Sequence, residues 1–209
     1  MAIDWSLYLV TDLDLAGGRE NVVRIVKEAV RGGVSVVQLR DKEASDEQIE
    51  HTARELLAVL GNVPLFINDR VEVAAKLGCH LHIGQNDMAF REARGMLSDE
   101  QLIGLSIGNH AELAAISDDA RPDVIGIGPV YSTNTKKNAP AGMGPDAAAA
   151  LARAARERGI DSVAIGGIKD HNAHELAGSD FAGICVVSDI MAAKDPAAAA
   201  ARLKEAFHG

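Results

Sequence analysis

A regular alternation of short apolar runs and longer helical segments is the feature of this sequence that most constrains its fold. Each apolar run is followed by a segment whose apolar residues recur at helical spacing, as Val22, Val26 and Val30 do. Near-continuous apolar strands separated by helices are typical of a parallel sheet that is buried on both faces. The predicted strands cover residues 3–10, 34–39, 64–67, 80–83, 102–106, 124–127, 162–165 and 181–187.

Eight such units predict an α/β fold of one domain, a (β/α)₈ TIM barrel spanning residues 1–209. The competing fold is a doubly wound open sheet, which usually carries a glycine-rich phosphate turn after its first strand. Here the first strand ends in Val10-Thr11-Asp12 without such a turn, so the barrel is favoured. Ser45 is the predicted N-cap of the helix after the second strand, with Glu47 and Gln48 at the spacing of a capping box.

Composition and charge exclude several classes of partner. With 21 Lys and Arg against 30 Asp and Glu, the formal net charge is −9, whereas nucleic-acid-binding proteins carry a basic surface. The sequence has no apolar run of the roughly 18 residues that a transmembrane helix needs, and no signal-peptide pattern. Cys79 and Cys185 lie in apolar runs and form no metal-binding pair. We therefore expect a cytoplasmic protein with buried, reduced thiols that binds neither nucleic acid nor membrane.

Polar residues cluster where the predicted strands end, which is where a barrel of this type places its active site. Asp69 and Asp87 follow adjacent strands, and carboxylates beside phosphate oxygens are a typical site for Mg²⁺. Arg40, Lys42 and Lys136 would bring positive charge to the same rim. The combination predicts a pocket for a diphosphate. The alternative is an ordinary network of ion pairs at the mouth of the barrel.

A second anion site is predicted at the ends of the last two strands. Gly166-Gly167 and Val187-Ser188 follow these strands, and phosphate commonly binds there to backbone N–H groups. The simpler alternative is that the two glycines form a tight turn and nothing more. Asp189 directly follows Ser188, and its carboxylate would repel a phosphate unless it points away.

Two histidines raise the separate possibility of a zinc site. His80 and His82 alternate on the fourth predicted strand, so both side chains point to the same face. Such a pair can bind zinc, but the remaining histidines fall mostly in helices or at helix starts rather than at later strand ends. A structural role for both histidines is the favoured interpretation.

With these residues assembled, the sequence resembles the thiamine phosphate synthase family over nearly its whole length. The motifs of that family occur in order and fall at strand ends, and the full set in register is far more specific than any one motif. They cover residues 7–12, 37–42, 67–70, 82–87, 104–106, 126–131, 133–137, 164–168 and 186–188.

The resemblance implies a reaction between two small molecules. Hydroxymethylpyrimidine diphosphate and a thiazole phosphate join to give thiamine phosphate and pyrophosphate. In this family the pyrophosphate is thought to leave first, and the thiazole nitrogen then attacks the resulting pyrimidinylmethyl cation. No protein nucleophile is needed, which agrees with the absence of a convincing catalytic triad in the sequence.

The resemblance also implies roles for individual residues, with Asp69 and Asp87 binding Mg²⁺. Those implied to act in catalysis are Arg40, Lys42, Ser106 and Lys136. Those implied to bind the pyrimidine diphosphate are Gln38, Arg40, Lys42, Asn68, Ser106 and Lys136, and Leu39 and Asp41 are implied to bind substrate. Those implied to hold the thiazole phosphate are Thr133, Asn134, Thr135, Gly167, Val187 and Ser188. The implied partners are the two substrates, and a homodimer is left open.

Two other functions remain as alternatives. A thiazole tautomerase of the same barrel family lacks the full diphosphate and metal set, so Asp69, Asp87 and Lys136 favour the synthase. A barrel that only binds a phosphate ligand would have no need for a metal coupled to a leaving group. Pyrophosphate release on mixing both substrates separates these functions.

Overall fold

The computed structural model describes residues 3–133 and 141–209. Eight parallel strands form a closed barrel in the order of the sequence, with β8 hydrogen-bonded to β1, which confirms the predicted (β/α)₈ fold. The strands are β1 Leu7–Val10, β2 Val36–Leu39, β3 Leu65–Asn68, β4 His80–Ile83, β5 Ile103–Ile107, β6 Val124–Ile127, β7 Asp161–Ile165 and β8 Gly183–Val186.

Helices connect the strands and pack against the outside of the barrel. They are α1 Leu13–Ala16, α2 Arg19–Arg31, α3 Asp46–Leu60, α4 Val71–Leu77, α5 Phe90–Met96, α6 His110–Ala115, α7 Pro145–Glu157, α8 Ser188–Met191 and α9 Pro196–His208. The helix predicted after β7 is a 3₁₀ turn over Ala173–Leu176 instead. Helices α1 and α8 were not predicted, because four residues are too few to show helical periodicity.

The pleat of each strand divides its side chains between two cores. Leu7 and Leu9 point outwards and pack in a core shared with the helices. Tyr8 and Val10 point into the barrel, where they pack with Phe66 in an interior core. Both faces of the strand are therefore buried, which is why it reads as an uninterrupted apolar run.

Helix α3 shows how local signals set the start of an element. The Ser45 hydroxyl accepts a hydrogen bond from the Gln48 N–H at 3.4 Å, and Gln48 Oε1 accepts one from the Ser45 N–H at 2.9 Å. The predicted capping box is therefore present. The buried residues Ile49, Ala53 and Leu56 form the face that packs against the barrel.

Both cysteines are buried free thiols, as predicted. Burial raises the pKa of Cys79 to about 11, which keeps this thiol protonated at neutral pH. Over the described ranges 3–133 and 141–209, every helix is too short or too polar to cross a membrane.

Candidate active site

A cavity of about 330 Å³ opens at the carboxyl ends of the strands, where the barrel fold leads us to expect the active site. The predicted site residues that line it are Gln38, Arg40, Lys42, Asn68, Asp69, Asp87, Ser106, Thr133, Gly167, Val187 and Ser188. Leu39 does not line it, because its side chain is buried in the outer core. The predicted residues Asn134, Thr135 and Lys136 lie outside the described residues.

Asp41 is not a cavity-lining residue either, but it organises the loop that follows β2. Its Oδ1 accepts hydrogen bonds from the N–H groups of Glu43 at 3.2 Å and Ala44 at 3.1 Å. Its Oδ2 forms an ion pair with Arg19 at 2.5 Å. These contacts hold the loop on which Lys42 faces the cavity, so Asp41 shapes the site without forming part of its wall.

Asp69 and Asp87 form an acidic pair after β3 and β4. Asp69 has a φ of 62°, a left-handed conformation that is uncommon for a residue with a side chain. Asp87 Oδ2 accepts a hydrogen bond from the Gly84 N–H at 2.7 Å, which closes the turn after β4. Burial raises the pKa of Asp69 and the neighbouring Asp87 carboxyl raises it further, whereas Lys42, with its Nζ 3.2 Å from Asp69 Oδ2, opposes the shift. The two carboxylates therefore repel each other when both are ionised.

This set of donors suits Mg²⁺ better than zinc. Magnesium prefers one or two carboxylates completed by water and phosphate oxygens, and a divalent cation would relieve the repulsion between Asp69 and Asp87. Among the residues that the structure describes, no three or more His, Cys, Asp and Glu side chains are grouped to hold a metal ion. His80 Nδ1 instead accepts a hydrogen bond from the Leu102 N–H at 3.0 Å, which gives this histidine a structural role.

Arg40 brings positive charge to the cavity. Its N–H donates a hydrogen bond to Oγ1 of the fully buried Thr11 at 3.0 Å, which fixes the backbone at the end of β2. Within the described part of the chain, the guanidinium group makes no hydrogen bond or ion pair. It is therefore available to an anionic ligand, whereas Lys42 is shared with Asp69.

Two side-chain hydrogen bonds form below the rim of the cavity. Gln38 Nε2 donates to the Tyr8 hydroxyl at 3.0 Å, and His82 Nε2 lies 2.9 Å from Ser106 Oγ. Tyr8 and His82 were not predicted as site residues, although both line the cavity. The alternation of the two strands could have predicted them, because Tyr8 and His82 lie between apolar residues that face outwards.

The turn after β7 brings the backbone to the cavity wall. Gly166 and Gly167 have φ values of 104° and 67°, and a Cβ on Gly167 would lie 2.7 Å from the Cβ of Tyr131. Glycine is therefore required at Gly167 for both its conformation and its space. Asn172, which was not predicted, braces the turn: its Nδ2 donates to the Gly167 carbonyl at 3.0 Å, and its Oδ1 accepts from the Lys169 N–H at 2.7 Å.

Asp189 is engaged away from the cavity. Its Oδ1 forms an ion pair with Lys169 Nζ at 3.1 Å, and its Oδ2 accepts a hydrogen bond from the Asp170 N–H at 3.1 Å. Ser188 lines the cavity, but Asp189 does not. The Asp189 carboxylate therefore points away from the predicted phosphate site, and its charge is balanced by Lys169.

We expect Asn172→Ala to destabilise the protein by about 1–3 kcal/mol, because the part-buried Lys169 N–H and Gly167 carbonyl lose their partner. For a chain of this size, each kcal/mol corresponds to roughly 2–4 °C in Tm. Differential scanning calorimetry measures the change, with Asn21→Ala as a control because Asn21 makes an exposed hydrogen bond on helix α2. Equal Tm values for the two variants would contradict the bracing role.

A protein-family model matches most of the chain. The model is described as thiamine monophosphate synthase and matches residues 7–190. That range contains all eight strands and every predicted site residue.

Individual proteins and a solved structure that resemble this chain carry names from the same family. The chain is 49% identical over 212 residues to the thiamine biosynthesis multifunctional protein ThiED of Corynebacterium efficiens, with 98% of this chain and 29% of that protein covered. It is 41% identical over 206 residues to the thiamine-phosphate synthase of Syntrophomonas wolfei, with 97% of this chain and 96% of that protein covered. The solved structure of the thiamine phosphate pyrophosphorylase from Pyrococcus furiosus superposes on this chain with a TM-score of 0.83 at 28% sequence identity. The match covers 98% of this chain and 96% of that one. The chain thus spans less than a third of the multifunctional relative.

Proposed function

The chain belongs to the thiamine monophosphate synthase family, and we propose that it is a transferase that joins hydroxymethylpyrimidine diphosphate to thiazole phosphate, with Mg²⁺. The products are thiamine phosphate and pyrophosphate. The observation that carries the proposal is the acidic pair, Asp69 and Asp87, in one cavity with Arg40, whose guanidinium group has no partner among residues 3–133 and 141–209.

The electrostatics of the cavity support pyrophosphate as the leaving group. Negative charge grows on the pyrophosphate as its bond to carbon breaks, so a positive group beside it stabilises the transition state more than the bound substrate. Arg40 and Lys42 provide such groups on the side of the cavity that holds the acidic pair. Asp69 and Asp87 would hold Mg²⁺, which, when bound, supplies Lewis-acid stabilisation of the leaving group.

The interior of the cavity supports a reaction without a protein nucleophile. Cys185 lines the cavity, but burial raises the pKa of its thiol far above the usual range, which disfavours the reactive thiolate. Burial also raises the pKa of Tyr8 well above its usual value. Dissociation of pyrophosphate followed by attack of the thiazole nitrogen needs neither group as a nucleophile.

The two anion sites face each other across the barrel. In the closed strand order, β7 and β8 lie opposite β3 and β4. A diphosphate at the acidic pair and a thiazole phosphate at Gly167 and Ser188 would therefore direct both reacting groups towards the centre of one cavity. Holding the two reactants in this way supplies much of the rate through proximity.

The decisive test is an assay of both products with purified protein. We expect equal amounts of pyrophosphate and thiamine phosphate when both substrates and Mg²⁺ are present, and neither product when one substrate or the metal is omitted. Isomerisation of the thiazole phosphate without pyrophosphate would instead identify a tautomerase. Binding of either substrate without turnover would identify a phosphate-binding barrel.

The thiazole phosphate site predicts a selective binding defect. This phosphate keeps its charge throughout the reaction, so a hydroxyl bound to it stabilises the ground and transition states alike. We expect Ser188→Ala to raise KM for thiazole phosphate roughly tenfold to a hundredfold, with little change in kcat. Steady-state kinetics with saturating pyrimidine diphosphate measures this, with the exposed Ser117→Ala as a control. A fall in kcat at an unchanged KM would contradict the assignment.

A further inference from the structure

The hydrogen bond between His82 and Ser106 joins a buried imidazole to a hydroxyl that lines the cavity. His82 Nε2 lies 2.9 Å from Ser106 Oγ, and this hydroxyl has no other partner among the described residues. His82 itself is 8% exposed, and its buried Nδ1 has no partner among the described residues, so a protonated ring would carry a second N–H without an acceptor. The ring is therefore neutral, and one of its two nitrogens carries the hydrogen.

The surroundings of the second nitrogen decide which one carries it. His82 Nδ1 is buried and has no hydrogen-bond partner in the described structure. It packs so closely on Gly104 that a Cβ there would lie 2.4 Å from it, so that side leaves no room for a water. A buried N–H without an acceptor is rarer than a buried acceptor without a donor. The hydrogen therefore belongs on Nε2, and His82 donates to Ser106.

We propose that His82 is a positioning residue, which donates its Nε2–H to Ser106 and thereby directs the Ser106 hydroxyl hydrogen into the cavity. With one oxygen lone pair accepting from His82, the hydroxyl hydrogen must point away from the imidazole, and Ser106 lines the cavity on its open side. It would then recognise an acceptor on the ligand. This inference rests on the proposed function, under which that acceptor is a pyrimidine ring nitrogen, since such a nitrogen has a lone pair and no hydrogen.

The state of the imidazole can be measured without any substrate. In protein labelled with ¹⁵N-histidine, we expect the His82 proton on Nε2, with Nδ1 resonating as an unprotonated nitrogen at pH 7. The His82→Gln spectrum, which lacks these resonances, assigns them. A proton on Nδ1 would overturn the inference. Because this spectrum does not depend on turnover, it stays informative even if the protein fails to release pyrophosphate and the proposed function is wrong.

Kinetics separate positioning from a structural role. We expect His82→Leu and Ser106→Ala each to raise KM for the pyrimidine diphosphate about tenfold, and the double variant to be no worse than either alone. KM for the thiazole phosphate should not change. His82→Gln should restore KM, because its amide N–H can replace the donor. Multiplicative losses in the double variant, or equal changes in both KM values, would overturn the inference.

A neighbouring histidine provides the matched control. His80 lies on the same strand, and its Nδ1 accepts a backbone hydrogen bond. His80→Gln therefore removes an imidazole from the same barrel without touching Ser106, and we expect it to leave both KM values unchanged.

Discussion

Replacing Asp69 or Asp87 with asparagine is expected to lower kcat/KM by at least about a hundredfold at saturating Mg²⁺. Asparagine keeps the size of the side chain but removes the negative charge that would hold the metal. The result is measured by pyrophosphate release over a titration of Mg²⁺, with the exposed Asp146→Asn on helix α7 as a control. Wild-type activity of either variant at saturating Mg²⁺ would refute the metal site.

Asp69→Asn is expected to preserve the fold and to stabilise the metal-free protein at neutral pH. The pKa of Asp69 is raised in the folded state, so stability is lost as the pH rises through that pKa. Asp69→Asn removes this cost. The lost ion pair with Lys42 matters little, because Lys42 is 49% exposed. In EDTA we expect a higher Tm than that of the wild type near pH 8, and a gain that disappears near pH 3, where the carboxyl group is protonated in both states.

A second substitution at the same position separates charge from backbone conformation. Asparagine tolerates the φ of 62° at Asp69, whereas alanine is strained there by about 1–2 kcal/mol. Asp69→Ala should therefore be less stable than Asp69→Asn, although both should show the same large loss of kcat/KM. Equal stability of the two variants would show that the left-handed conformation costs nothing at this site.

Arg40→Ala is expected to lower kcat about a hundredfold or more, because it removes a positive group aimed at charge that develops in the transition state. The guanidinium group makes no ion pair with the described residues, so the loss should appear in the chemical step rather than in stability. Single-turnover rates at saturating concentrations of both substrates measure it, together with Tm. Lys136, which lies outside the described residues, is predicted from the sequence to act in the same way.

The matched control for Arg40 is Arg24→Ala, because Arg24 is exposed on helix α2 and remote from the cavity. We expect this variant to retain wild-type kcat. If Arg40→Ala instead recovered the wild-type rate at high substrate concentration, Arg40 would contribute to binding alone.

Much of the fold was predictable because hydrophobic periodicity is local information. The helical spacing of Val22, Val26 and Val30 falls within helix α2, and the N-cap Ser45 of helix α3 was recognised from spacing alone. Helix α8 and the 3₁₀ turn after β7 were missed, because segments of four residues bury too few side chains to show a period.

The sequence by itself determined the order of strands and helices, and therefore which residues stand at the carboxyl ends of the strands. Barrel closure then decided which of them meet. Leu39 and Gln38 are adjacent in the chain, yet the pleat sends Leu39 to the outer core and Gln38 to the cavity. The pairing of His82 with Ser106 and of Asp189 with Lys169 joins residues from different strands and loops. Such distances depend on the register and closure of the whole sheet, which local spacing does not specify.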